Sequence, residues 1–97
     1  MPKYYKIDGY IADVMPKNRK HFTYDELRLF VGSIVQIVPM PSGKLMVIHE
    51  DGKLIGLPMN HKATEVWKEE YPIEKYPQNN DELIVGDALI TEEKYIR

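Results

Sequence analysis

Apolar and polar residues recur with two different periods along this chain, and the changes of period mark out its elements. Residues 3–7 and 10–15 are short β-prone runs rich in Tyr, Ile and Val, and Asp8 with Gly9 between them reads as a hairpin turn. Residues 16–20, a polar and basic stretch without periodicity, read as a loop. A helix follows over about residues 24–31. Thr23 stands at its N-cap, Glu26 three positions on closes a capping box, and Phe22 is placed to staple onto Leu27. Leu27, Phe30 and Val31 then share one helical face toward a sheet, and Gly32 stands where a left-handed C-cap is wanted.

Residues 33–39 are apolar at nearly every position, interrupted by Gln36, and predict a central strand buried on both faces. Residues 43–60 organise what surrounds them. They predict a strand over 45–49 antiparallel to the preceding one, a type I′ turn at Asp51 and Gly52, and a short return strand around Ile55. Asn60 caps a second helix whose Ala63, Val66 and Trp67 form its apolar face, with Trp67 as a core anchor. Tyr71, Pro72 and Pro77 argue for an irregular segment without further helix up to Asp81. Residues 83–90 read as a last strand, in which Gly86 marks a bulge or a close backbone approach, and the charged tail from Thr91 is expected to be exposed. These elements amount to an α+β fold, a mainly antiparallel β-sheet with two short α-helices packed against it.

A length of 97 residues suits a single domain spanning 1–97, with room for one modest core. The net charge of −2 argues against a duplex nucleic acid partner, which demands a basic face. The absence of cysteine excludes a disulfide framework, a thiol nucleophile and a thiolate zinc site. No apolar run approaches the roughly 20 residues that span a bilayer, and the first residues lack the apolar core of a signal peptide, so the expectation is a cytoplasmic protein with no membrane partner.

Three blocks of the chain resemble a family of small proteins from gut bacteria, plasmids and phages known as domain of unknown function 3846. They are FTYDELRLFVGSIVQIVPMPSGKLMV, HEDGKLIGLPMNHKAT and DELIVGDALI, and in that order and spacing they cover most of residues 8–90. The chain departs from the family pattern at Ser33, Gln36 and His49, where that pattern has glycine, an acidic residue and asparagine. The resemblance implies an accessory gene of mobile elements whose product modulates host machinery.

Candidate chemistry is sparse. His21, His49 and His61 show no metal-ligand spacing, and no catalytic or metal site and no cofactor is expected. His49 reads as a partly buried hydrogen-bonding residue and His61 as a surface residue at a helix start. Asp87, beside Gly86 in an apolar run, is the carboxylate with the oddest context; a bulge turning it to solvent is the plainer reading. Lys17, Arg19 and Lys20, with Tyr4, Tyr5 and Tyr10, are the candidate binding residues, able to hold phosphate or stack a base. The plainer reading of the same residues is a solvated loop beside ordinary strand tyrosines. The function expected is therefore non-catalytic binding by a regulatory accessory protein that engages a host protein or self-associates, with capture of a small phosphorylated or nucleotide-like ligand as the alternative. The hairpin carrying Tyr4, Tyr5, Tyr10 and Ile11 is the expected contributor to a homodimer.

Overall fold

Two hairpins, each closed by a three-residue loop ending in glycine, form the outer parts of the sheet. The computed structural model describes residues 1–96. In the first hairpin β1 (Lys3–Tyr5) pairs with β2 (Ile11–Asp13). Lys6 N donates to Tyr10 O at 2.9 Å and Gly9 N to Lys6 O at 3.0 Å. In the second, β3 (Val35–Pro39) pairs with β4 (Leu45–His49), where Met40 N donates to Lys44 O and Gly43 N to Met40 O, both at 2.9 Å. Between the hairpins lies β5 (Ala88–Thr91), buried at all four positions. The sheet order is β2-β1-β5-β4-β3, with every neighbouring pair antiparallel.

Because side chains alternate across a sheet, this register sorts the core into two clusters. One face carries Tyr5, Met46, Ala88 and Ile90 and is covered by α2 (His61–Glu70) through Ala63 and Trp67. The opposite face carries Tyr4, Val47 and Leu89 and is covered by α1 (Tyr24–Val31) through Leu27, Phe30 and Val31. The capping box forms as expected: Thr23 Oγ1 accepts Glu26 N at 3.2 Å, Glu26 Oε1 accepts Thr23 N at 2.9 Å, and Gly32 takes the left-handed conformation at φ 103°. Phe22 is buried in the same cluster as Leu27, the pair foreseen as a staple.

Several expectations are corrected. β3 is an edge strand with half-exposed and exposed residues, not a central one. Residues 51–56 form successive tight turns instead of a type I′ turn and return strand. Gly52 lacks a positive φ, and a Cβ added there would press on Val85 Cγ2 at 3.0 Å and Leu57 Cδ1 at 3.3 Å. In place of a return strand, Met59 bridges Val85 and Gly86 N donates to Pro58 O at 2.8 Å. Gly86 is the close approach foreseen, with room for a Cβ taken by Leu57 Cδ1 at 2.8 Å and φ at 76°. Pro77 starts a short helix, α3 (Pro77–Asn80), since proline's missing N–H costs nothing at a helix's first position. The last strand starts at Ala88 and runs to Thr91, which is 1% exposed. The segment beyond it is not a loose tail: a 3-10 turn (Glu93–Tyr95) follows, and Phe22 N donates to Tyr95 O at 2.8 Å.

Candidate binding surfaces

The placement of β3 at the edge leaves backbone groups without a strand partner. Met40 and Ile34 bond across to Lys44 and Glu50, so along the antiparallel ladder Ile34, Gln36, Val38 and Met40 aim their peptide groups at β4. Val35, Ile37 and Pro39 aim theirs outward, and among the described residues no strand lies on that side. Pro39 brings no N–H, and its carbonyl accepts Tyr71 Oη at 3.3 Å. The open part of the edge is therefore Val35 and Ile37, each with one N–H and one C=O. No charged residue stands on β3, and Ile34 and Ile37 are 43% and 40% exposed.

Alongside this edge, on the α2 face, runs a groove of about 440 Å³ between β3, β4 and the segment carrying α3. Gln36, Val38 and Ile48 line it from the sheet, with Trp67 and Ile84 opposite. Lys53 pairs with Glu82 at its rim. His49, 9% exposed, accepts Asp51 N on Nδ1 at 3.0 Å and also contributes to the lining, which agrees with its reading as a buried hydrogen-bonding residue. A larger, open groove of about 690 Å³ lies on the other side of α2, with Tyr5 and Tyr76 in its walls and Lys3, Lys44 and Lys75 around them. Glu69, Glu70 and Glu92 line the same groove, so its charge is mixed.

The six candidate binding residues do not form one surface. Tyr4 and Tyr5 point to opposite faces of the sheet. Tyr4 is held by polar partners: its hydroxyl donates to Phe30 O at 2.9 Å and to Asp87 Oδ2 at 3.1 Å. Burial, then the Asp87 charge, pushes the phenol up to about 12. Tyr10 is 62% exposed at one end of β2, whereas Lys17, Arg19 and Lys20 follow its other end and are exposed. Backbone amides of that loop are tied locally, Lys17 N to Glu26 Oε2 at 3.0 Å and Lys20 N to Asn18 Oδ1 at 2.8 Å. Asp87 is half-buried rather than turned free to solvent, because Oδ1 also accepts Ile7 N at 2.9 Å and so ties the first hairpin to the start of β5. His61 is exposed at the start of α2, as expected.

The residue whose importance the sequence understated is Asn60. Fully buried, it accepts Ala63 N on Oδ1 at 3.0 Å as the cap of α2. Its amide also donates to Tyr5 O and Gly86 O, both at 2.9 Å, so one side chain joins a helix to β1 and to the segment that leads into β5. The edge position of β3 did have a sequence signal, Pro39 within the strand, because proline cannot donate to a ladder on both sides.

The displaced carboxylate pKa values among the described residues are all lowered, at the surface. Asp13 is held down by Lys3, and Glu26 by the Thr23 amide and then the Lys17 amide. Among the described residues no group of three or more His, Asp or Glu side chains is placed to hold a metal ion, and no helix is long and apolar enough to cross a membrane. No protein-family model matches the chain, and neither a curated protein nor a solved structure matches it.

Proposed function

We propose that the chain is a non-catalytic binding protein of the cytoplasm that engages another polypeptide along the outer edge of β3. The observation that carries this reading is the outward N–H and C=O pair at Val35 and Ile37 on a half-exposed strand without charge. An extended segment laid there gains main-chain hydrogen bonds, and the neighbouring 440 Å³ groove takes its alternate side chains. Monomeric proteins blunt such an edge with charge, and here Pro39 alone performs that role. The resemblance to domain of unknown function 3846 supports an accessory role in a plasmid or phage, with a host protein among the candidate partners. The test is capture from bacterial lysate on the immobilised full chain, compared with Ile37→Lys. Loss of a specific polypeptide from the variant supports the reading, and identical capture by both chains moves the binding surface away from β3.

The second reading is a small phosphorylated or nucleotide-like ligand in the 690 Å³ groove, supported by its two tyrosine walls and three lysines. It ranks second because the glutamates in the same groove repel an anion. Raised thermal stability with adenosine monophosphate or inorganic tripolyphosphate, lost in Lys44→Gln, would favour it.

A further inference from the structure

We infer that the occupant of the β3 edge is a second copy of this chain, paired antiparallel about a two-fold axis at Gln36. The inference rests on the reading of β3 as a binding edge and adds the identity of what binds. Several antiparallel registers bring β3 against its own copy with outward groups facing each other; an axis at Val35 pairs only Val35 with itself within the strand, and an axis at Val38 sets Ile37 opposite Pro39. An axis at Ile37 sets Val35 opposite Pro39, where the proline has no N–H to give and its carbonyl already accepts Tyr71 Oη. An axis at Gln36 instead sets Val35 opposite Ile37 of the copy, twice. Each such pair exchanges both of its N–H···O bonds, so all four outward peptide groups of the two open positions are satisfied and proline falls outside the paired stretch.

Side chains agree with the same axis. A two-fold perpendicular to the sheet keeps like faces together, so Val35 and Ile37 of each copy meet on the α1 face as apolar cross-strand pairs. On the other face the two Gln36 side chains, exposed in the single chain, lie directly opposite as a close pair able to exchange amide hydrogen bonds. Charge points the same way: β3 has no charged side chain to steer an acidic or basic peptide, and an uncharged edge is complementary to itself. The opposite edge differs. On β2 the outward positions are Ile11 and Asp13, and Asp13 is ion-paired to Lys3 at 2.6 Å, a charged edge only three residues long.

A five-residue edge buries less than the roughly 1,600 Å² of a standard interface, so the dimer is expected to dissociate on the order of 10 to 100 μM. Light scattering and sedimentation over about 5 to 500 μM should show a monomer–dimer equilibrium. Hydrogen exchange should show protection that grows with concentration at the Val35 and Ile37 amides and not at Ile11 and Asp13. Gln36→Lys and Gln36→Glu, each at an exposed position, should weaken self-association at least about tenfold, and an equimolar mixture of the two should restore it, because opposite charges then face each other at the axis. Restoration in the mixture is specific to a two-fold at residue 36 and shows that both variants fold. Three outcomes overturn the inference: a strict monomer at the highest concentration, dissociation by Ile11→Lys with no effect at residue 36, or no restoration in the mixture. A monomer that still captures a polypeptide in an Ile37-dependent way would remove self-pairing while leaving the binding reading in place.

Discussion

The two long helices cover opposite faces of one sheet, and the chain holds them there by different means. α1 is tied down mainly by apolar contact, with Leu27 and Val31 buried against Val47 and Leu89; its caps come from immediate neighbours Thr23, Glu26 and Gly32, and Tyr4 Oη adds a single bond from the sheet to Phe30 O at 2.9 Å. α2 adds polar stitches along one side. Asn60 reaches Tyr5 O and Gly86 O, Thr64 Oγ1 accepts Ile84 N at 3.0 Å, Trp67 Nε1 donates to Asn79 O at 2.7 Å, and Lys68 Nζ donates to Asn80 O. Apolar packing tolerates small shifts of position, whereas a buried amide left without its partner costs its full desolvation penalty. The α2 face should therefore fail more abruptly than the α1 face when a single side chain is changed.

The largest effect is expected at Trp67, which is 6% exposed and packs against Tyr71 in a tilted arrangement with ring centroids 4.6 Å apart. Trp67→Ala should cost about 3 to 5 kcal/mol, a large share of what so small a fold possesses, and urea denaturation would measure it. A stable variant would show that α2 is held by its hydrogen bonds alone.

Asn60 comes next. Asn60→Ala removes the cap of α2 and the hydrogen bonds to two carbonyls, for an expected loss of about 2 to 4 kcal/mol. Asn60→Ser sharpens the comparison, because its uncharged hydroxyl can still accept Ala63 N while the shorter side chain gives up the bonds to Tyr5 O and Gly86 O. If denaturation finds Ser nearly as damaging as Ala, the bonds to the two carbonyls matter more than the cap; if Ser behaves as wild type, those stitches contribute little.

On the other face, Thr23→Ala should cost only ~1 kcal/mol, since Leu27 and Val31 keep α1 in place without the cap. A thermal melt showing a loss as large as that of Asn60→Ala would erase the contrast between the faces.

The smallest effect is the contribution of Glu26, on the α1 side, to the pH dependence of stability. Glu26 has a folded pKa below its ordinary 4.5 because the Thr23 amide, then the Lys17 amide, favours the carboxylate. Its contribution is fully present above pH 4.5 and is lost as pH falls through the lower folded value. Melting temperature should drop between about pH 5 and 3, and Glu26→Gln should drop less over the same interval. Equal acid sensitivity in both proteins would place the titrating group elsewhere.

How much of this was legible in the sequence varies with the reach of each interaction. The capping box, the helix-ending Gly32, the Asn60 cap and the glycine-closed hairpin between β1 and β2 all act within a few residues, so their signals lie side by side in the chain. Trp67 was readable as core from helical spacing alone. The candidate site was much less legible. Tyr4, Tyr5, Tyr10 and the basic loop are neighbours in sequence, yet strand alternation sends the first two to opposite faces and the length of β2 separates Tyr10 from the lysines.

Strand order is where the tertiary structure decided. An apolar run such as residues 33–39 states that a strand is partly buried, but not which strands flank it, because burial of either face depends on helices elsewhere in the chain. β5, the last strand in the sequence, enters the middle of the sheet because its ladder groups bond to β1 on one side and β4 on the other. That insertion leaves β3 at the edge with Val35 and Ile37 open, and it brings Gly86 and Tyr5 to the Asn60 side chain. The sequence by itself determined the two long helices, their caps and the first hairpin, since each follows from the conformational preference of a few adjacent residues. The open edge and the buried asparagine joint exist only after segments more than 25 residues apart have paired, and no local preference encodes that pairing.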